Sequence, residues 1–347
     1  MTDAAPAAVS IIMPMYNVER YIGESVASLK GQTFEDIQVV IVDDGSTDGS
    51  YDAAVEAIGD DARFLLVRQE NAGPATARNR GIAESVGEYL MFMDADDMLE
   101  QHAVDMLYTK AEGDQLDYLD FSAHTVYEDE KLRAIRNESF YEGRSDIEGV
   151  MTGPELFVCF QKNREYVCSL CLHFFKRSLL NDSGLSLRDG MYVHEDELFS
   201  PLLIAYAKRA AFLNEPLYIR RVRARSATTT GRSPRNVKSM FEAARGLRSW
   251  LGERESSLDS LFVAALSARI AELYELAAMD AALIESYDLV AIAETYTGLD
   301  RVDFEIEVVQ RMITRDEFYR SRTYRAGEIL LAAPKKVRDT IRRMNER

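Results

Sequence analysis

The chain has 347 residues, 47% of them hydrophobic and 29% charged, which describes a globular protein with a sizeable core and argues against disorder. A formal net charge of −17 opposes general affinity for the phosphates of nucleic acid. Three cysteines, Cys159, Cys168 and Cys171, are too few for a disulfide framework, and one C-x-x-C lacks the second ligand pair of a structural zinc site, so buried thiols are expected.

The opening "MTDAAPAAVS" has neither the basic nor the apolar region of a secretory signal, and no apolar run approaches the ~18 residues that span a bilayer. The expectation is a cytoplasmic protein of two domains, or of one with an appendage. Short apolar runs at 9–13, 37–42, 63–67 and 88–93 read as strands. Between them, Ile22, Val26 and Leu29 share a helical face, Asp48 is placed to cap a helix over "GSYDAAVEAI", and Pro74 to open one. Strand and helix alternating at this spacing predict right-handed crossovers and an α/β fold built on a mainly parallel sheet with helices on both faces.

From about 115 to 230 the pattern is mixed: strands at "LDYLDFSAHTVY" and "LCLHFF", a helix near "PELFVCFQ", and another opened by "HEDELFS". Beyond about 235 the chain reads as helices. The expected domain edge falls at 230/235, marked by "TTTGRSP".

In parallel sheets ligands bind beyond the carboxyl ends of the strands, and the unusual residues fall there: "PMYN", "DDGSTDG", "RQENAGPATARNRG" and "DADD". Unpaired carboxylates are costly to bury, so Asp94, Asp96 and Asp97 must sit at an exposed strand tip. Asp94 and Asp96 suit a hard divalent cation, although a D-x-D is common and, taken alone, reads first as a solvated acidic turn. "VDDGSTDG" reads as an Asp-Gly turn with a helix cap, or as an acid reaching a nucleotide. Arg78 and Arg80 read as surface cations or as anion contacts. In "LYIRRVRARSATTTG", strand alternation sends Arg221, Arg223 and Arg225 to one side, either as edge protection or as a phosphate grip.

Together and in this order, "VSIIMPMYNVERYIGESVASLKGQTFEDIQVVIVDDGSTDGS", "NAGPATARNRGI", "GEYLMFMDADD" and "HEDELF" resemble the family 2 glycosyltransferases of the GT-A fold. The resemblance covers residues 8–100 closely and 190–230 more loosely. It implies an inverting transfer of a hexose or N-acetylhexosamine from a nucleotide diphosphate donor, commonly a UDP-sugar, to a hydroxyl of a glycan or lipid-linked glycan, in making a bacterial surface polysaccharide such as a capsule or exopolysaccharide. Carried over position by position, Pro14 and Tyr16 line the base, Asp44 accepts from the uracil edge and Arg78 helps hold the nucleotide. Asp94 lies near the ribose and metal, Asp96 is the ligand of Mn²⁺ or Mg²⁺, and Asp97 is structural. Asp196 is the base, Glu195 its orienting neighbour, and His194 an alternative metal ligand. Arg223, Arg225 and Ser226 close on the diphosphate, although Ile219 stands where a Tyr-Arg start is commoner.

The resulting division is a nucleotide-sugar half over 1–125, an acceptor and catalytic-base half over 126–232, and a helical region over 233–347. Residues 311–347 hold eleven Lys/Arg against five Asp/Glu, and the end of this segment (320–347) suits peripheral contact with an anionic membrane or, alternatively, an oligomer contact. Two rival readings remain open: a sugar nucleotidyltransferase, which lacks its Gly-rich phosphate loop here, and a catalytically silent nucleotide-binding or scaffold protein.

Overall fold

The structure, a computed structural model, describes residues 7–135, 141–224 and 233–314. Arg225, Ser226 and the basic segment 320–347 lie outside the described residues. The chain divides into two compact units, Met1–Thr230 with Asp259–Ala265, and Gly231–Leu258 with Leu266–Arg347.

In the first unit the strands are β1 (Val9–Met15), β2 (Ile37–Asp43), β3 (Phe64–Arg68), β4 (Tyr89–Phe92), β5 (Met98–Leu99), β6 (Tyr118–Tyr127), β7 (His173–Lys176) and β8 (Ala210–Val222). The helices among them are α1 (Ile22–Lys30), α2 (Ser50–Ile58), α3 (Pro74–Glu84), α4 (Ala103–Gly113), α5 (Glu130–Ile135), α6 (Gly153–Asn163), α7 (Arg177–Ser183) and α8 (Asp196–Tyr206). The eight strands form one sheet in the order β3-β2-β1-β4-β7-β6-β8-β5.

The four strands β3-β2-β1-β4 run parallel, in keeping with their largely apolar stretches. Every residue of β2 is buried, as is all of β1 except Pro14, which is partly exposed. Each fully buried Ile or Val here contributes about 1.5–3 kcal/mol relative to exposure. Beyond β4 the sheet becomes mixed, because β7 enters antiparallel to both β4 and β6, while β8 runs parallel to β6 with register shifts around Ser122. Gly87, just before β4, passes so close to Ser10 that a side chain there would collide with backbone.

Helix signals held with one adjustment. Ile22, Val26 and Leu29 form the buried face of α1, and Pro74 opens α3. The N-cap of α2 is Gly49; Asp48 still serves that helix end by accepting from Ser50 N at 3.0 Å. The thiols differ from the expectation: Cys171 is buried, but Cys159 and Cys168 are only partly so.

The second unit is helical, with α9 (Pro234–Arg254), most of α10 (Ser260–Ala281), α11 (Ser286–Glu294) and α12 (Gly298–Phe304). Its core gathers on Phe241, whose ring lies 5.1 Å from that of Phe304 and 5.2 Å from that of Tyr296. Among the described residues no helix is long and apolar enough to cross a membrane.

Candidate functional site

Parallel register brings the carboxyl ends of β1, β2 and β3 level, with Met15 beside Asp43 and Asp43 beside Arg68. Past Met15, Tyr16 is 48% exposed, the most accessible aromatic on this rim. It is followed by Asn17, whose left-handed backbone (φ 52°) is tied to the next loop: its N–H donates to Ser46 Oγ, and its Oδ1 accepts from Thr47 N at 2.8 Å.

Asp44 is buried, and its carboxylate already has three donors: Gln69 Nε2 (2.8 Å) and Ala72 N (2.9 Å) on Oδ1, and Gly73 N (2.8 Å) on Oδ2. The residue expected to meet a uracil edge thus binds the loop between β3 and α3. Its neighbour Asp43 accepts from Ser46 N at 3.0 Å and faces Arg68 Nε at 3.0 Å.

The acidic turn after β4 is held from several sides. Asp97 N donates to Asp94 O at 3.1 Å, and the Ser25 hydroxyl of α1 lies 2.9 Å from Ala95 O and 2.7 Å from Asp97 O. The three acids then diverge. Asp97 is buried and accepts from the Tyr218 hydroxyl and from Arg221 N, each at 2.7 Å, which makes it the structural member of the group. Burial, with Asp96 and Asp94 close by, holds its carboxyl well above the usual range. Asp96 accepts from Arg223 Nε, and burial raises its carboxyl too, with Asp94 adding to the rise and Arg223 opposing it. Asp94 is the open one: its side chain is 44% exposed, and Oδ1 accepts from Arg78 at 2.8 Å.

Arg78 is the centre of the arrangement. Buried on α3, it donates through NH2 to Asp94 and through NH1 to Glu195 Oε1 at 2.5 Å, while its Nε finds no hydrogen-bond partner among the described residues. Burial works against its charge, but Asp94 and Glu195 outweigh that and hold it firmly protonated. Its hydrogen bonds within the protein therefore go to carboxylates.

Glu195 is the buried N-cap residue of α8, and His194 before it takes a left-handed backbone (φ 59°). Asp196 opens the helix, partly exposed. Its Oδ1 accepts from Glu197 N at 2.9 Å, and its Oδ2 from the Cys168 thiol at 3.6 Å. Burial, then the Glu195 and Glu197 charges, push its carboxyl well above the ordinary range, against the pull of Arg78 and Cys168. A carboxylate so shifted is a better proton acceptor near neutral pH than an ordinary aspartate.

Along β8 and one residue past its end, alternation puts Arg221 and Arg223 on the acidic turn, with Arg221 Nε donating to Asp96 O at 2.9 Å, whereas Arg220 lies over the ring of Tyr141 at 4.9 Å. Sequence reasoning missed Tyr218, Ser25 and Cys168. Only Tyr218 left a trace, as the aromatic inside an arginine-rich strand.

No group of three or more His, Cys, Asp or Glu side chains able to hold a metal occurs among the described residues, and none draws in His194. Asp94 and Asp96 offer two oxygen-ligand side chains, a set that fits Mg²⁺ or Mn²⁺ when substrate phosphates and water complete the shell. A separate cavity of about 580 Å³, lined by Glu128, Asp129, Glu130, Lys131, Leu132 and Ala224, contains none of these acids.

A sheet whose strand ends gather carboxylates and arginines at one rim, followed by a mixed half bearing a second acidic cluster, is the GT-A architecture of glycosyltransferases. The chain belongs to glycosyltransferase family 2: the model of Glycosyl transferase family 2 matches residues 10–182. The putative glycosyltransferase EpsH of Bacillus subtilis is 30% identical over 250 residues, covering 69% of this chain and 67% of that protein. EpsJ of the same organism, a glycosyltransferase, is 31% identical over 222 residues, 63% of this chain and 62% of EpsJ. The chain spans only 30% of GlyA, a glycosyltransferase of Streptococcus pneumoniae. Among solved structures, TarS of S. aureus in complex with UDP-GlcNAc superposes with a TM-score of 0.59 at 19% identity, over 87% of this chain and 80% of that one. The mannosyltransferase PcManGT of Pyrobaculum calidifontis, with GDP-Man and Mn²⁺, gives 0.54 at 19% identity, over 95% and 88%.

Proposed function

We propose that the protein transfers a sugar, a hexose or N-acetylhexosamine, from a nucleotide diphosphate donor to an acceptor hydroxyl with inversion, in building a cell-surface polysaccharide. The observation that carries this reading is Arg78, which joins the acid at the tip of β4 to the first residues of α8 and so sets the donor-side carboxylates and Asp196 at one rim.

In this reading Pro14 and Tyr16 flank the base, Asp44 fixes the loop over which it lies, and Arg223, with Arg225 and Ser226 beyond it, meets the diphosphate. A UDP-sugar is the first donor to test. Asp94 and Asp96 would hold Mn²⁺ or Mg²⁺, and such a cation would supply positive charge to the departing diphosphate. Arg223 already neutralises Asp96 and adds a guanidinium to that same region. Asp196 takes the acceptor proton as the new bond forms, on the face opposite the leaving group, while Glu195, fixed by Arg78, orients the start of the helix. Residues 1–125 thus serve the donor and 126–232 the acceptor and base.

The test is a thermal-shift screen of nucleotides and nucleotide-sugars with and without Mn²⁺ or Mg²⁺, since a ligand at 100 times its dissociation constant adds about 2.7 kcal/mol. A metal-dependent shift with UDP or a UDP-sugar is expected. Absence of a shift with every nucleotide would sink the reading, and turnover of a UDP-sugar separates a transferase from a silent binder.

A further inference from the structure

Behind Asp196 lies a polar array that the proposed chemistry does not use. Asp120 on β6, His173 on β7 and Ser200 on α8 are all buried. His173 Nδ1 faces the Tyr118 hydroxyl at 2.7 Å and Asp120 Oδ2 at 3.2 Å, and its Nε2 lies 2.9 Å from Ser200 Oγ. Asp120 is anchored in turn by Arg144 NH1 at 2.7 Å, with the guanidinium between the rings of Phe160 (4.4 Å) and Phe212 (4.2 Å). The order acid, imidazole, hydroxyl looks nucleophilic, but a hydroxyl with no exposed surface attacks nothing.

Hydrogen counting shows what the array does. Ser200 Oγ donates its one hydrogen to Cys168 O at 2.6 Å, so toward His173 it must accept. His173 therefore carries a hydrogen on Nε2, while Nδ1 answers to Tyr118 and Asp120. The chain of bonds ends on the peptide of Cys168, and the thiol of that residue is the donor to Asp196 Oδ2. Ser200 also stands one helical turn beyond Asp196 on the same face of α8. The Cys168 segment is thus tied to α8 twice, by its carbonyl to Ser200 and by its thiol to Asp196.

We propose that Cys168 and Ser200 are positioning residues for Asp196, kept in register by the buried Asp120–His173 pair. This rests on the reading of Asp196 as the base. With Glu197 N on one oxygen and Cys168 on the other, the carboxylate is aimed and keeps lone pairs for the acceptor proton. The groups facing it are Glu195 and Glu197 from its own segment, Arg78 of α3, Cys168, and Tyr141.

The experiment compares Cys168→Ala, Cys168→Ser, Ser200→Ala and Asp196→Asn in the full chain, with UDP release from UDP-glucose and UDP-N-acetylglucosamine as the turnover probe. Cys168→Ala removes a donor to the ionised carboxylate, so the acid limb of kcat is expected to move to higher pH, and Cys168→Ser, which keeps a donor, to restore it. Ser200→Ala is expected to lower kcat by about 10- to 100-fold through misplacement, with donor KM and UDP-induced thermal shift unchanged. Independently of turnover, alkylation of Cys168 by iodoacetamide, followed on its peptide by mass spectrometry, is expected to be severalfold faster in both Ser200→Ala and Asp196→Asn. Unchanged alkylation in both overturns the proposal. So does an inactive Asp196→Asn alongside Cys168→Ala and Ser200→Ala of wild-type rate and pH profile, an outcome that leaves the base reading standing. Wild-type UDP release by Asp196→Asn removes the base reading itself, and the positioning role with it.

Discussion

Arg78 and Glu195 are separated by 117 positions in the chain, and their side chains meet at 2.5 Å. The contact joins a helix placed by the parallel half of the sheet to one that lies within the mixed half, between β7 and β8. Asp94 shares the same guanidinium.

Arg78→Ala is expected to strand the Glu195 carboxylate in a buried position. Loss of one partner of a buried pair costs about 3–5 kcal/mol, and with Asp94 partly in water the lower end applies. Urea unfolding measures it. Arg78→Lys should recover only part, since an ammonium cannot span both carboxylates in the planar geometry of the guanidinium. Wild-type stability in Arg78→Ala would mean that the two bonds are incidental.

Asp96→Asn is expected to keep the fold, because the amide has the same size, retains an oxygen that can accept from Arg223 Nε, and removes a charge that burial disfavours. It should abolish the increment that Mn²⁺ adds to the UDP-induced thermal shift. A metal-dependent shift of wild-type size moves the ligand role elsewhere.

Asp196→Asn tests a trade between stability and activity. Its carboxyl is raised by burial and by Glu195 and Glu197, so the folded state favours the protonated form. The stabilising contribution is complete below the unfolded value of about 3.9 and is lost as pH climbs through the folded value. Asn does not titrate. The variant should therefore gain on wild type in denaturation midpoint at pH 8 and lose that advantage at pH 4, while turnover falls by about 10²–10⁴. A midpoint difference that ignores pH contradicts the burial of the charge.

The four parallel strands and the two acidic clusters were legible because each announces itself locally: an apolar run ending in "DADD", a helix opening at "HEDELF". So was the common side of Arg221 and Arg223, which a period of two fixes. What periodicity cannot carry is which distant side chain an acid meets. Asp94 and Asp97 sit three residues apart in one turn, yet one is open to solvent and the other sealed under Tyr218, a residue 121 positions later. The protein partners of Arg78 and Asp44 were hidden for the same reason: they come from elements that only the folded sheet brings near.

Tyr218→Phe is expected to cost about 1–3 kcal/mol, because Asp97 Oδ2 loses its hydroxyl donor while buried and Asp94 N loses its acceptor at 3.1 Å. Turnover should drop as well, since the acidic turn is then held less firmly. Equal stability and equal turnover would show that Arg221 N and Ser25 suffice.

The three bonds from Gln69, Ala72 and Gly73 to the Asp44 carboxylate make residues 44 and 69–73 a single exchangeable cassette. A chimaera that imports the 69–73 loop of a relative while keeping the native 44–46 turn loses the side-chain donor wherever Gln69 is replaced, and keeps the two backbone donors only if the new loop holds the same course. One that moves both segments together carries the clasp intact. Attempts to retarget this rim by recombination therefore have their natural crossover points before Asp43 and after Pro74, outside the clasp.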